Sequence, residues 1–175
     1  MTTVSENPAG LPAKQPSTRL AGPYGHPFHP IFVTIPIGAW TASLFFDLAS
    51  KVVEDGAALG RAAWWLIGVG VVGAALAALF GFLDYLTIPS RTRAKQTATL
   101  HLILNVATLA LFASSFAIRR GDAAVETDMG PIVISVVALG LLSVSGWLGG
   151  RLSYRYGVRV AAEPDQAEGF VAGRR

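Results

Sequence analysis

The chain has 175 residues, of which 52% are hydrophobic and 14% charged, with a net charge of +3 and no cysteine. Soluble domains carry about 25% charged residues, so this composition points away from a water-soluble globule. The missing cysteine excludes disulfides, thiolate catalysis, iron–sulfur clusters, thiolate zinc sites and c-type haem attachment, and the small positive surplus reads as topology-setting charge rather than a nucleic-acid surface.

Residues 1–25 are rich in Pro, Ser, Thr and Gly, lack an apolar period, and are expected to form a disordered tail. No signal peptide is expected, because the first apolar run starts only near Ile31. Four apolar segments follow, over residues 31–49, 62–86, 98–118 and 130–152. Each is close to the ~20 residues a helix needs to cross the hydrocarbon core, and none alternates in polarity as a membrane strand does. Residues 161–175 read as a flexible carboxyl-terminal tail. The connections are short, so consecutive helices should be antiparallel neighbours. The expected fold class is all-α: a transmembrane four-helix up-down-up-down bundle over residues 26–160, with disordered polar tails. No internal repeat is evident.

Of the 14 basic residues, Lys51, Arg61, Arg119 and Arg120 fall on one side of the membrane. The others, in the two tails and at Arg91, Arg93 and Lys95, fall on the opposite side. The richer side should be cytoplasmic, which places both termini in the cytoplasm.

Ionisable and polar groups inside membrane spans are expensive and so are candidates for function. His26 and His29 lie in the run His26-Pro27-Phe28-His29-Pro30 before the first span. His101 sits about one turn into the third span, Asn105 one turn deeper on the same face, and Asp84 near the end of the second. The topology lets His29, Asp84, His101 and Asn105 converge at the cytoplasmic mouth of the bundle. Two histidines from different helices can hold a b-type haem, with Asp84 and Asn105 in support. His29, His101 and Asp84 can alternatively ligate a single metal ion. The same groups could relay protons or bind a quinone head group. The plainer reading is that these histidines are solvated at the interface or hydrogen-bonded to a neighbour. A proline after His26 and after His29 favours extended backbone, which would make His29 an approach residue rather than a helix-held ligand. His26 reads as a loop residue.

Gly73, Ala77, Gly81 and Asp84 form a stripe that should turn Asp84 inward against a close helix; pairing with Arg91 or Arg93 is the alternative. Asp47 precedes Lys51 by one helical turn and reads as half of an exposed pair. In a regular helix it would also share a face with His29, although Pro36 is expected to kink that helix. Gly146, Gly149 and Gly150 around Trp147 suggest close helix packing, or room for a flat cofactor. Arg119 and Arg120 read as ordinary loop charges. There is no phosphate-binding loop, serine nucleophile motif or His-Glu-x-x-His motif, so the sequence leans away from an enzyme.

Several of these features resemble a bacterial family of four-span membrane proteins, domain of unknown function 2231. They are the His-Pro-x-His-Pro run leading to Trp40, the Pro36-Ile37-Gly38 step, Asp47, the Gly81–Tyr85 segment with Asp84, His101 opening the third span, and Gly146–Gly150 followed by Tyr156-Gly157-Val158. The resemblance covers roughly Pro23 to Val160 and implies a domain of the bacterial inner membrane, with a suspected redox or haem association and no established substrate. It adds weight to His29, Asp84 and His101. The leading expectation is a redox-associated membrane protein with a haem or metal site at His29 and His101. The alternatives are a non-catalytic accessory or scaffold subunit, acting on a membrane protein partner or as a homo-oligomer, and a small transporter or proton-conducting protein using Asp84 and Asp47. The expected partners are the lipid bilayer and a membrane protein or a second copy of the chain, and nucleic acid is not expected.

Overall fold

The structure is a computed structural model and describes residues 11–16, 18–22, 26–119, 128–168 and 170. Arg120, read as a loop charge, lies outside the described residues. Seven α-helices appear among the described residues: α1 Leu11–Lys14, α2 Phe28–Phe32, α3 Thr34–Ala49, α4 Ala57–Thr87, α5 Arg93–Ile118, α6 Met129–Tyr156 and α7 Glu163–Glu168. A short 3₁₀ turn covers Arg19–Ala21. Four segments are long and apolar enough to cross a membrane: Phe28–Ala49 (α2 with α3), Ala57–Thr87, Arg93–Ile118 and Met129–Tyr156.

Each span outruns its apolar stretch. The α4 helix has 31 residues, about 46 Å at ~1.5 Å per residue, against a core of about 30 Å. Hydrogen bonding carries the helices past the hydrocarbon until a local signal stops them. Pro89 forces Ile88 into extended backbone and ends α4. Thr92 caps α5 by accepting a bond from Lys95 N at 3.1 Å. Gly157, at φ 67°, closes α6, with Val158 N reaching back to Leu152 O at 3.0 Å.

The break between α2 and α3 at Val33 has a single cause. Pro36 has no N–H to offer Phe32 O, and its ring crowds that carbonyl, so the helix yields one turn earlier. His29 lies within α2, which corrects the expected extended backbone. Pro27 is the N-cap and Pro30 falls in the first turn, where backbone N–H groups have no intrahelical partner anyway. The local preference of a residue before proline is therefore overridden at little cost.

The interior sets small polar side chains among two apolar clusters. Ser43, Asp47, Thr108, Ser115, Ser135 and Ser145 are buried, while Phe45, Val72, Val106 and Val136 face outward. That inversion suits a bundle whose solvent is lipid. Trp40 is the largest buried side chain; it stacks on Phe112 with ring centroids 4.1 Å apart and donates Nε1–H to Ile67 O at 3.2 Å.

Two segments expected to be disordered are held against one end of the bundle. Ala13 packs with Ile88, Ala98, Leu152 and Val158, and its carbonyl accepts from Arg159 N at 2.9 Å. Ala21 is fully buried. Helix α7 buries nothing.

Candidate functional site

His29 and His101 come together across the bundle, with ring centroids 6.1 Å apart and ring planes at 89°. Each ring is positioned in the same way by a different helix. His29 Nδ1 donates to Ala77 O of α4 at 2.8 Å, and His101 Nδ1 donates to Ser145 O of α6 at 2.8 Å. The residue one turn after each accepting carbonyl is a glycine, Gly81 and Gly149. A Cβ at Gly81 would lie 2.8 Å from His29 Nδ1, and one at Gly149 would lie 3.1 Å from His101 Cε1. A helix carbonyl is normally shielded by the side chain one turn on; glycine removes that shield and lets an imidazole reach it. Gly70 does the same for Trp40, whose indole lies where a Cβ would be.

The acceptors fix the protons. A carbonyl can only accept, so Nδ1 carries hydrogen in both rings. Asn105 Nδ2 donates to His101 O at 2.8 Å and meets His101 Nε2 at 3.0 Å. Nε2 is then an acceptor whose lone pair Asn105 engages, and the orientation of Asn105 follows from the carbonyl it also serves. Ser145 Oγ adds a contact to His101 Nδ1 at 2.9 Å. No described residue hydrogen-bonds His29 Nε2. An Nδ1–H bonded to a backbone carbonyl with Nε2 left as lone pair is the usual preparation of a metal-ligating histidine.

Asp84 is buried beside this pair, and its partner is neither Arg91 nor Arg93. Arg159 Nε approaches Asp84 Oδ1 at 3.0 Å, from beyond the end of α6. Both atoms lack a well-aligned hydrogen bond, so the contact is an ion pair without hydrogen-bond geometry. Arg159 adopts φ 57°, and its guanidinium also donates to Ala21 O at 3.3 Å. It ties both tail segments to the mouth of the bundle and engages the Asp84 carboxylate. Among the described residues, no three His, Asp or Glu side chains converge as a metal-binding group. His26 is exposed in the segment leading into α2.

The opposite end of the bundle differs from expectation. Asp47 is fully buried rather than exposed, and Arg119 takes both its carboxylate oxygens, Nη1–Oδ1 at 2.6 Å and Nη2–Oδ2 at 2.8 Å. Arg119 Nε also donates to Ser115 Oγ at 3.2 Å. Arg119, which reads in the sequence as a loop charge, is thus a buried partner. Asp47 and His29 address the same helix α5 from opposite ends of their span. Gly146 has nothing within 4 Å of a Cβ and Gly150 only Tyr154, so among the described residues this pair packs against no other helix; Gly149 between them seats His101.

Ser145, Arg159 and the Asp47–Arg119 link were not singled out by sequence reasoning as parts of a site, and Gly149 was read only as helix packing or room for a flat cofactor. The signal for Gly149 was its place one turn after Ser145, matching Gly81 after Ala77. Arg159 carried none, because its partner is set by how the chain turns after Gly157.

Comparison with known families matches residues 25–162 to the family described as Predicted membrane protein (DUF2231). No curated protein and no solved structure matches the chain. The match spans all four membrane helices, the histidine pair and the Asp47–Arg119 link, and the chain belongs to this family, domain of unknown function 2231, as an integral membrane protein.

Proposed function

We propose that the protein is a redox-associated membrane protein that holds a b-type haem between His29 and His101. The observation that carries this reading is the paired presentation of the two rings: each gives Nδ1–H to a carbonyl bared by glycine, and the centroids are 6.1 Å apart. A bare ion fits the donor set poorly. Zinc sites draw three or four protein ligands, and here Asp84 is committed to Arg159. A haem would need only two imidazoles from the protein, and His29 and His101 would supply them. Bound haem would supply one-electron chemistry. The chain's own residues would fix both ring orientations through Ala77 O and Ser145 O, and Asn105 would have to turn away from His101 Nε2.

The mouth carrying the histidines is proposed to face the cytoplasm of a bacterial inner membrane, with both termini on that side. The distribution of basic residues supports this orientation. Arg119 adds to it, since on the sparser side it is neutralised by Asp47.

A second reading has support from Asn105, which already occupies His101 Nε2. In it the histidines clasp helices and the protein is a packing module for a membrane partner. The transporter reading loses support, because Asp47 and Asp84 both sit in ion pairs. An absorbance spectrum of protein purified from its own membrane decides between the first two. The haem reading expects a Soret band that disappears in His29→Ala and in His101→Ala. The clasp reading expects a colourless protein that these variants only destabilise.

A further inference from the structure

The residues on the bundle axis follow a single interval. Asp47 and Arg119 are 72 residues apart. His29 and His101, and Trp40 and Phe112, are separated by the same interval, and each of these pairs is in contact. Ser43 and Ser115, both fully buried, stand at the same interval. The second and fourth spans repeat the pattern at a slightly shorter, equally constant interval. Ile67 and Ser135, Gly70 and Ala138, and Ala77 and Ser145 are equivalent buried positions. Gly81 and Gly149 are equivalent seats for the two histidines. The four spans therefore contain an internal repeat that residue identity conceals: a helical hairpin, Phe28–Thr87, followed by a second, Arg93–Tyr156. The first and third spans run in the same direction, so the two hairpins are related by a two-fold axis along the membrane normal. A residue on such an axis meets its own equivalent.

This geometry has a consequence for pairing. The face that hairpin one offers to hairpin two would also fit hairpin one of a second chain. His29 would meet a histidine, Trp40 an aromatic ring, and the small seats would remain. Asp47 and Arg119 stand out on the axis because the equivalent positions carry opposite charges. Homotypic pairing would bring two buried carboxylates together at one site and two guanidiniums at the other. Buried like charges are strongly disfavoured, and specificity is commonly built by such a penalty on the wrong partner.

We propose that Asp47 and Arg119 form the recognition element by which hairpin one selects hairpin two of its own chain over a second copy of itself. The pair keeps a duplicated, self-complementary face from exchanging hairpins between chains, a route to dimers open wherever identical elements can swap. The proposal does not depend on what the histidines hold.

The test uses full-length chains carrying two different tags, co-expressed in one membrane. Asp47→Arg and Arg119→Asp are made as single variants in separate chains. Exchanging hairpins between them restores an Asp–Arg contact at both sites, so each chain is expected to co-purify the other as a dimer, well above the wild-type pair. A second experiment combines Asp47→Leu with Arg119→Met in one chain, which removes the charges while filling the space. Swapped dimers are expected to rise from background to a major species in size-exclusion chromatography with light scattering. Absence of co-purification between the two single variants overturns the proposal, whether or not each chain folds alone. So does a folded Leu/Met double variant that stays as monomeric as the wild type, since the pair would then only stabilise.

Discussion

Replacing Arg119 by methionine leaves Asp47 in place, fully buried, without the guanidinium that takes both its oxygens. Breaking a buried pair by removing one partner costs about 3–5 kcal/mol in soluble cores. Polar contacts in membrane bundles measure lower, ~0.6 kcal/mol on average and up to ~1.7, because the unfolded chain in lipid finds other partners. Asp47 combines complete burial with two charge-assisted bonds of 2.6 and 2.8 Å, which argues for a value above the membrane average. A loss of about 3 kcal/mol, roughly 100-fold in the unfolding equilibrium, is expected. Removing both charges in Asp47→Leu with Arg119→Met should cost far less, within about 1 kcal/mol of the wild type, because no isolated charge remains. Unfolding in mixed micelles of rising SDS content, followed by tryptophan fluorescence, measures both; Trp40, stacked on Phe112, reports the core. A single variant within about 0.5 kcal/mol of the wild type, or a double variant as unstable as the single, would refute the reasoning.

Further outcomes follow from the glycine seats and the tail. Gly149→Leu and Gly81→Leu should each displace a histidine ring from its carbonyl and abolish the Soret band, with helix content by circular dichroism retained. Gly70→Leu, which drives a side chain into Trp40, should lower thermal stability by about 3 kcal/mol or prevent folding, whereas Gly140→Leu, with open space around it, should change stability by less than about 0.5 kcal/mol. Arg159→Ala removes the side-chain bond to Ala21 O but keeps the backbone bond to Ala13 O, so it should free the segment around Ala21, read as faster proteolysis there, while leaving the Asp47 end unaffected.

The bundle was legible because apolar length is a direct requirement of the bilayer, and no other property of the chain competes with it. Helix ends were less so. They depend on caps such as Thr92 and Gly157 and run beyond the apolar stretch into the interface. His29 shows local preference losing to context: a first-turn proline removes the objection to a helix that His29-Pro30 raises. The inward stripe through Gly73, Ala77, Gly81 and Asp84 was readable from spacing, but Asp84's partner was not. Arg159 reaches it only because the chain reverses after α6. Asp47 reads against its nearest basic neighbour, Lys51, whereas the bidentate ion pair it makes reaches 72 residues on, to the equivalent position of the second hairpin. The repeat itself was hidden for the same reason. The two copies keep positions while changing residues, Trp40 to Phe112, Ala77 to Ser145 and Asp47 to Arg119, so only contacts reveal the register.

The central claim is that His29 and His101 together present one site for haem iron. The most direct measurement is the visible spectrum, with iron content, of the protein purified from its native membrane, alongside His29→Ala and His101→Ala. One haem per chain with a Soret band lost in both variants is expected. A colourless, iron-free wild-type protein, or a Soret band that survives either substitution, would contradict it.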